Sequence, residues 1–314
     1  MNRRGFRAIA DAASGCLLAR RDHTTNHLHR LTETRSTKPM TEDVEIRRLD
    51  GEARSTRADA IAVEEPLEIR VGGRSVAVTM RTPGHDAELA TGFLLTEGVI
   101  RSAADIVEAA HCESGEARQT GNVINVFLAA GVEVDFQRLT RHVFASSSCG
   151  LCGKAAIDAV IQTHPPVKST LRMSAALLAT LPDKLRAKQQ AFDTTGGLHA
   201  AALFDSTGRM LVAREDVGRH NAVDKVIGWA LQQGLVPLSG FVLLVSGRVS
   251  YEIVQKALAA GAPLVCAVSA PTSLAVELAR ESGLTLVGFL RGRTMNLYSG
   301  VERVADEPGS RSIS

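Results

Sequence analysis

From about residue 45 polar and apolar positions alternate along the chain. The alternation is clearest in Glu65–Gly73 and Arg74–Pro83, which meet at Gly72-Gly73, and this predicts a two-stranded hairpin. Over Asp86–Glu97 the period lengthens, placing Leu89, Phe93 and Leu94 on one helical face, with Gly98 suited to end the helix. Val123–Ala129 returns to strand character. In the second half two apolar runs, His199–Ala213, are joined by Ser206-Thr207-Gly208 and predict another hairpin. A helix over Arg219–Gln233 follows. Beyond it the apolar runs Phe241–Ser246, Pro263–Ser269 and Leu284–Phe289 alternate with helical stretches Tyr251–Ala260 and Ser273–Glu281. Buried-type strands separated by helices of this length imply a mostly parallel sheet, because parallel neighbours need crossover connections.

The fold class expected is therefore α/β, with an α+β N-terminal part. The organisation expected is an extension over 1–43, a smaller β-rich domain over 44–140, a cysteine-bearing loop and helix over 141–170, an α/β domain over 171–305 and a tail over 306–314. Residues 1–39 carry eight Arg or Lys against three acids and no sustained helical stripe, so we read them as an extension, with Met40 as an alternative start.

Composition removes several function classes. A formal net charge of +2 and 4% aromatic residues give little for nucleic acid to bind. No run approaches the roughly 18–20 apolar residues of a membrane span, so no membrane role and a cytoplasmic location are expected. Cys16, Cys112, Cys149, Cys152 and Cys266 are odd in number and sparse, unlike a disulfide framework. Cys112 and Cys266 lie in or near apolar strands and read as packing residues.

Five segments carry candidate chemistry. Ser146–Lys154 holds Cys149-Gly-Leu-Cys152 ahead of a helical stretch, with Lys154 and free helix N–H groups favouring thiolate. A dithiol redox pair, half of a zinc or iron–sulfur site, a sulfur relay and an inert pair all remain open for it. A metal site would need further ligands such as Cys112, His142 or His199. Arg214–Gly228 concentrates ionisable groups before a helix, which suits either a site or a solvated helix start with Asp216 capping. Two strand-to-helix turns, Val245–Glu252 with Ser246-Gly247 and Val268–Glu277, can accept phosphate oxygens, or are capped by Ser250 and Ser273. Arg291-Gly292-Arg293 presents two guanidiniums suited to bidentate phosphate contact.

In this order these segments resemble the formate dehydrogenase accessory sulfurtransferase family, FdhD, over roughly Val44–Arg303. The resemblance implies a sulfurtransferase that accepts sulfur from a cysteine desulfurase as a Cys149 persulfide, with Cys152 in support. It implies transfer to Mo-bis(molybdopterin guanine dinucleotide), a bound substrate, before formate dehydrogenase receives it, and no permanently bound metal. The family's cofactor-binding stretch matches Phe289, Leu290, Arg291, Gly292, Arg293 and Thr294, and Ser246, Gly247, Asp216, His220 and Asn221 are expected to complete the pocket. A homodimer is expected. So is a C-terminal three-layer α/β/α sheet similar to that of cytidine deaminases, although His199-Ala200-Ala201 lacks the glutamate deamination needs and the cysteine pair lies upstream. The rival readings are a non-catalytic cofactor chaperone and a zinc or thiol–disulfide protein using the same cysteines.

Overall fold

The computed structural model describes residues 38–113, 115–136, 160–161, 163–164 and 166–305; Cys16, His142, Cys149, Cys152 and the rest of the cysteine-bearing loop lie outside the described residues. The described chain opens with β1 (Thr41–Asp50) and β2 (Ala53–Ala62), an antiparallel ribbon turning at Gly51. Both its faces meet solvent over most of its length, which is why charged residues stand along both strands. β3 (Glu65–Val71) and β4 (Arg74–Arg81) form the expected hairpin, with Gly72 and Gly73 both at positive φ, as a two-residue turn of this hand requires. Next come α1 (Asp86–Thr96), β5 (Ile106–His111), α2 (Gly115–Thr120) and β6 (Val123–Leu128), which inserts beside β3 to give the sheet order β4-β3-β6-β5.

The second half begins with β7 (Met173–Ser174) and three short helices, α3 (Ala175–Ala179), α4 (Leu181–Arg186) and α5 (Gln190–Thr195). Then come β8 (His199–Asp205), β9 (Met210–Asp216), α6 (Arg219–Gln232), β10 (Phe241–Val245), α7 (Tyr251–Ala259), β11 (Leu264–Ala267), α8 (Ser273–Glu281), β12 (Thr285–Arg291), β13 (Thr294–Ser299) and β14 (Val304–Ala305). The large sheet has the order β13-β12-β11-β10-β8-β9. Only β10, β11 and β12 run parallel to one another; tight turns attach β9 to β8 and β13 to β12, and β8 pairs antiparallel with β10. The sheet is thus mixed and not mostly parallel, because a hairpin extends it at each edge.

Alternation along its strands builds two cores. Ala201, Leu203, Leu243 and Val245 face the layer of α6, α7 and α8, while Ala200, Ala202, Phe204, Val242 and Leu244 face Leu178, Leu181 and Leu185 of α3 and α4. This is the three-layer α/β/α arrangement expected. The first core continues without a break into the small sheet through Leu67, Ile69 and Ile124, with α1 laid across α6 between them. Ionic pairs cross this junction. Arg214 is bidentate to Glu88 at 2.6 Å for both contacts, and Lys256 donates to Asp224 and to Thr96 of α1. Among the described residues no helix is long and apolar enough to cross a membrane.

Candidate functional site

A cleft of about 810 Å³ opens at the carboxyl ends of β10, β11 and β12, where turns leave a parallel sheet and backbone N–H groups are available to ligands. Its floor is the start of β8 at His199. One wall is built from Ser246–Arg248, Val268-Ser269 and Leu290–Gly292, and the other from α4, α5 and the glycines 196 and 197. Among the described residues four guanidiniums line it, those of Arg186, Arg219, Arg248 and Arg291, against one carboxylate, that of Asp183. Such a cleft suits an anion.

Of the candidate residues, Ser246, Gly247, Leu290, Arg291 and Gly292 line this cleft. Ser246 Oγ accepts from Ala200 N, fastening the turn to β8. A carbon added at Gly247 would lie 3.2 Å from His199 Nδ1, so the backbone passes directly against the imidazole. Phe289 has φ 52°, an unusual conformation for a bulky residue, and its N–H donates to Ser269 O at 3.1 Å. That kink leaves its ring exposed, 5.9 Å from the Arg291 guanidinium, while Arg291 Nε donates to Val268 O at 2.9 Å. Arg293 completes the turn with Gly292, Thr294 opens β13, and both are exposed.

Asp216 and Asn221 are not among the residues that line the cleft, and both are bonded to protein. Asp216 is fully buried, 2.6 Å from Lys225 Nζ, and accepts from Gly218 N and Asn221 Nδ2; Asn221 Nδ2 also donates to Met80 O at 2.7 Å. They tie the start of α6 to β4. His220 lies to one side, its Nε2 3.3 Å from Ser250 Oγ and 3.8 Å from Glu252. Sequence reasoning passed over Arg186, Arg219, Arg248 and Ser269, and weighed His199 only as a metal ligand. Arg219 and Arg248 stand inside the segments singled out and could have been found by asking which charges flank the turns. Nothing marks Arg186, whose helix carries no motif. Cys112 and Cys266 are buried away from the cleft, and burial pushes the Cys266 thiol above its ordinary range. Among the described residues no three His, Cys, Asp or Glu side chains gather as metal ligands would.

The local charge shows in the histidines. Burial, then the charges of Arg219 and Lys256, bring His220 down to about 4, with Glu252 opposing and His199 reinforcing. Above the ordinary histidine pKa of about 6.5 both folded and unfolded chains hold it neutral. As pH falls from about 6.5 toward 4, the unfolded chain takes up a proton that the folded chain excludes, so stability is lost across that window. His220→Gln is expected to flatten this loss, read as a smaller difference in urea midpoint between about pH 7 and about pH 4.5. An unchanged difference would assign the slope to other groups.

The sequence model of the FdhD/NarQ family matches residues 62–305. The chain belongs to this family. It is 54% identical over 275 residues to the sulfur carrier protein FdhD of Streptomyces avermitilis, covering 85% of this chain and 96% of that one. It is 56% identical over 252 residues to the protein of the same name from Nocardia farcinica, covering 79% and 89%. A crystal structure from Desulfotalea psychrophila, described as a formate dehydrogenase accessory protein, superposes with a TM-score of 0.68 at 25% identity and covers 85% of this chain and all of that one. The family match begins at the last residue of β2, so it takes in both sheets and the cleft and leaves out nearly all of the β1–β2 ribbon.

Proposed function

We propose that this chain is a sulfur carrier serving formate dehydrogenase, which loads Mo-bis(molybdopterin guanine dinucleotide) with sulfur before the client receives it. Membership of the family and the names of the Streptomyces and Nocardia relatives support the carrier role. The observation that carries the cofactor half is the cleft's charge: four guanidiniums against one carboxylate at the ends of parallel strands suit a dinucleotide bridged by pyrophosphate. Arg291 and the turns at Ser246-Gly247 and Val268-Ser269 would hold the guanine nucleotide end of this substrate, with the exposed Phe289 ring offering a stacking face.

In the proposed reaction the Cys149 thiolate attacks the outer sulfur of a cysteine desulfurase persulfide. A new S–S bond forms, the donor's S–S bond breaks, and the desulfurase cysteine leaves as a thiolate, so the exchange needs no external oxidant. Cys152 supports the carrier by shielding the persulfide or by closing a disulfide on its release. The carrier acts in the cytoplasm as a homodimer and needs no resident metal.

Intact mass after incubation with a desulfurase and cysteine is expected to show one added sulfur atom, confined to the peptide holding Cys149. Cys149→Ala is expected to abolish both the adduct and formate dehydrogenase maturation while leaving the melting temperature unchanged. Maturation that survives this substitution would replace the relay with a cofactor chaperone. Stoichiometric zinc lost on changing Cys152 would replace it with a metal site.

A further inference from the structure

The four guanidiniums of the cleft differ in what already occupies their donors. Arg186 is ion-paired with Asp193 and lies 4.9 Å from the Phe192 ring centroid. Arg291 is tied through Nε to Val268 O. Among the described residues Arg219 and Arg248 make no hydrogen bond or salt bridge, and within the same set Arg219 Nε is shielded from water and has no partner. Glu252 feels the charge of Arg219 but lies beyond salt-bridge contact. A shielded donor left unpaired costs roughly 1–3 kcal/mol, a cost that an acceptor brought by a ligand would offset. The two arginines reach the cleft from different elements, Arg219 from the first position of α6 and Arg248 from the turn after β10, where Gly247 lies against His199. Both line the cleft with His199, and the charge of each acts on its imidazole.

We infer that Arg219 and Arg248, with His199 beside them, form a clamp for a phosphate or pyrophosphate group, separate from the Arg291-Gly292-Arg293 turn. The inference rests on the proposed role of the cleft and deepens it by assigning residues to the ligand's pyrophosphate. A planar guanidinium gives paired, charge-assisted hydrogen bonds to phosphate oxygens, and two of them matched to one dianion give orientation as well as affinity. His199 reports on the clamp. Burial, then Arg219 and Arg248, hold its pKa below the ordinary value, with Asp216 pulling the other way and His220 close enough to interact. A dianion on the two arginines cancels part of their field, so His199 must titrate at higher pH when the ligand is bound.

Calorimetric titration of the full chain with guanosine diphosphate and with inorganic pyrophosphate, at fixed salt, tests this. Arg219→Gln and Arg248→Gln are each expected to weaken both probes about ten- to hundredfold, with lysine at either position restoring part of the loss. Arg209→Gln removes an equal charge from the exposed β8–β9 turn and is expected to change neither affinity. In the unsubstituted protein, NMR titration of the His199 ring is expected to show its pKa rising on saturation with either probe. Wild-type affinity in both folded glutamine variants overturns the clamp and leaves the nucleotide reading of the cleft standing. So does a His199 titration that does not move, a result that needs no variant to fold. An unsubstituted chain that binds neither probe overturns that reading and the clamp together.

Discussion

Gly228→Ala is expected to cost about 3 kcal/mol or more of unfolding free energy, above the usual penalty for one extra methyl in a core. The added carbon would sit 1.8 Å from the Glu88 carbonyl oxygen and 2.6 Å from the carbonyl carbon. Its counterpart on the other helix, Gly92, is as tightly placed, with a Cβ there falling 1.9 Å from Asp224 O. Both obstacles are helical backbone, so no rotamer change relieves them and α1 must move away from α6. That movement stretches Arg214–Glu88, Lys256–Glu97 and the Thr96 contacts to Lys256 and Asp224, which leaves charges and polar groups shielded with weakened partners. Gly240→Ala is the control. An added carbon there meets nothing within 4 Å, and its urea midpoint is expected to match wild type. If Gly228→Ala unfolds with Gly240→Ala, the helices do not cross as closely as described. Because α6 carries Arg219 at its first position, the same displacement is expected to weaken anion binding in whatever fraction still folds.

The helix crossing also shows what could not be read in the chain. A glycine inside a helix lowers propensity, and nothing local reveals that Gly92 and Gly228, far apart in sequence, meet each other's helices. Elements whose signal is local were legible: the Gly72-Gly73 hairpin, the β8–β9 turn, and the helices starting at Asp86, Arg219, Tyr251 and Ser273. The β1–β2 ribbon was not legible as a pair of strands because neither face is buried, and apolar alternation is sustained only where one face is. The short helices over 175–195 were missed for want of a sustained period, although one of them brings Arg186 to the cleft. Within the site, Ser246-Gly247 and Arg291-Gly292 were legible because turns after parallel strands are where ligands bind. Dense charge in Arg214–Asn221 was legible too, but its division of labour was not. Arg219 turns to the cleft, while Arg214, Asp216 and Asn221 turn inward to hold β4 and α1. Which way a charged side chain faces depends on tertiary partners that the local pattern does not encode.

That division can be measured at Lys225. Its ammonium is fully buried, 2.6 Å from Asp216 Oδ2 and 2.9 Å from Thr82 O. Lys225→Met is expected to cost about 3–5 kcal/mol, since the Asp216 carboxylate keeps its N–H donors from Gly218, Asn221 and Thr82 but loses its counter-charge in a site without water access. Asp216→Asn alone strands the lysine instead and is expected to destabilise to a similar degree. Asp216→Asn combined with Lys225→Met leaves no buried charge and is expected to recover more than half of either loss, because removing both members of a buried pair is far less costly than removing one. Losses that simply add in the double variant would mean that the two groups do not act as a pair. Recovery would assign Asp216 to the joint between α6 and β4, whose rigidity fixes where Arg219 enters the cleft. A carboxylate could then stand so near an anion site without weakening it, because its charge is already matched from behind by Lys225.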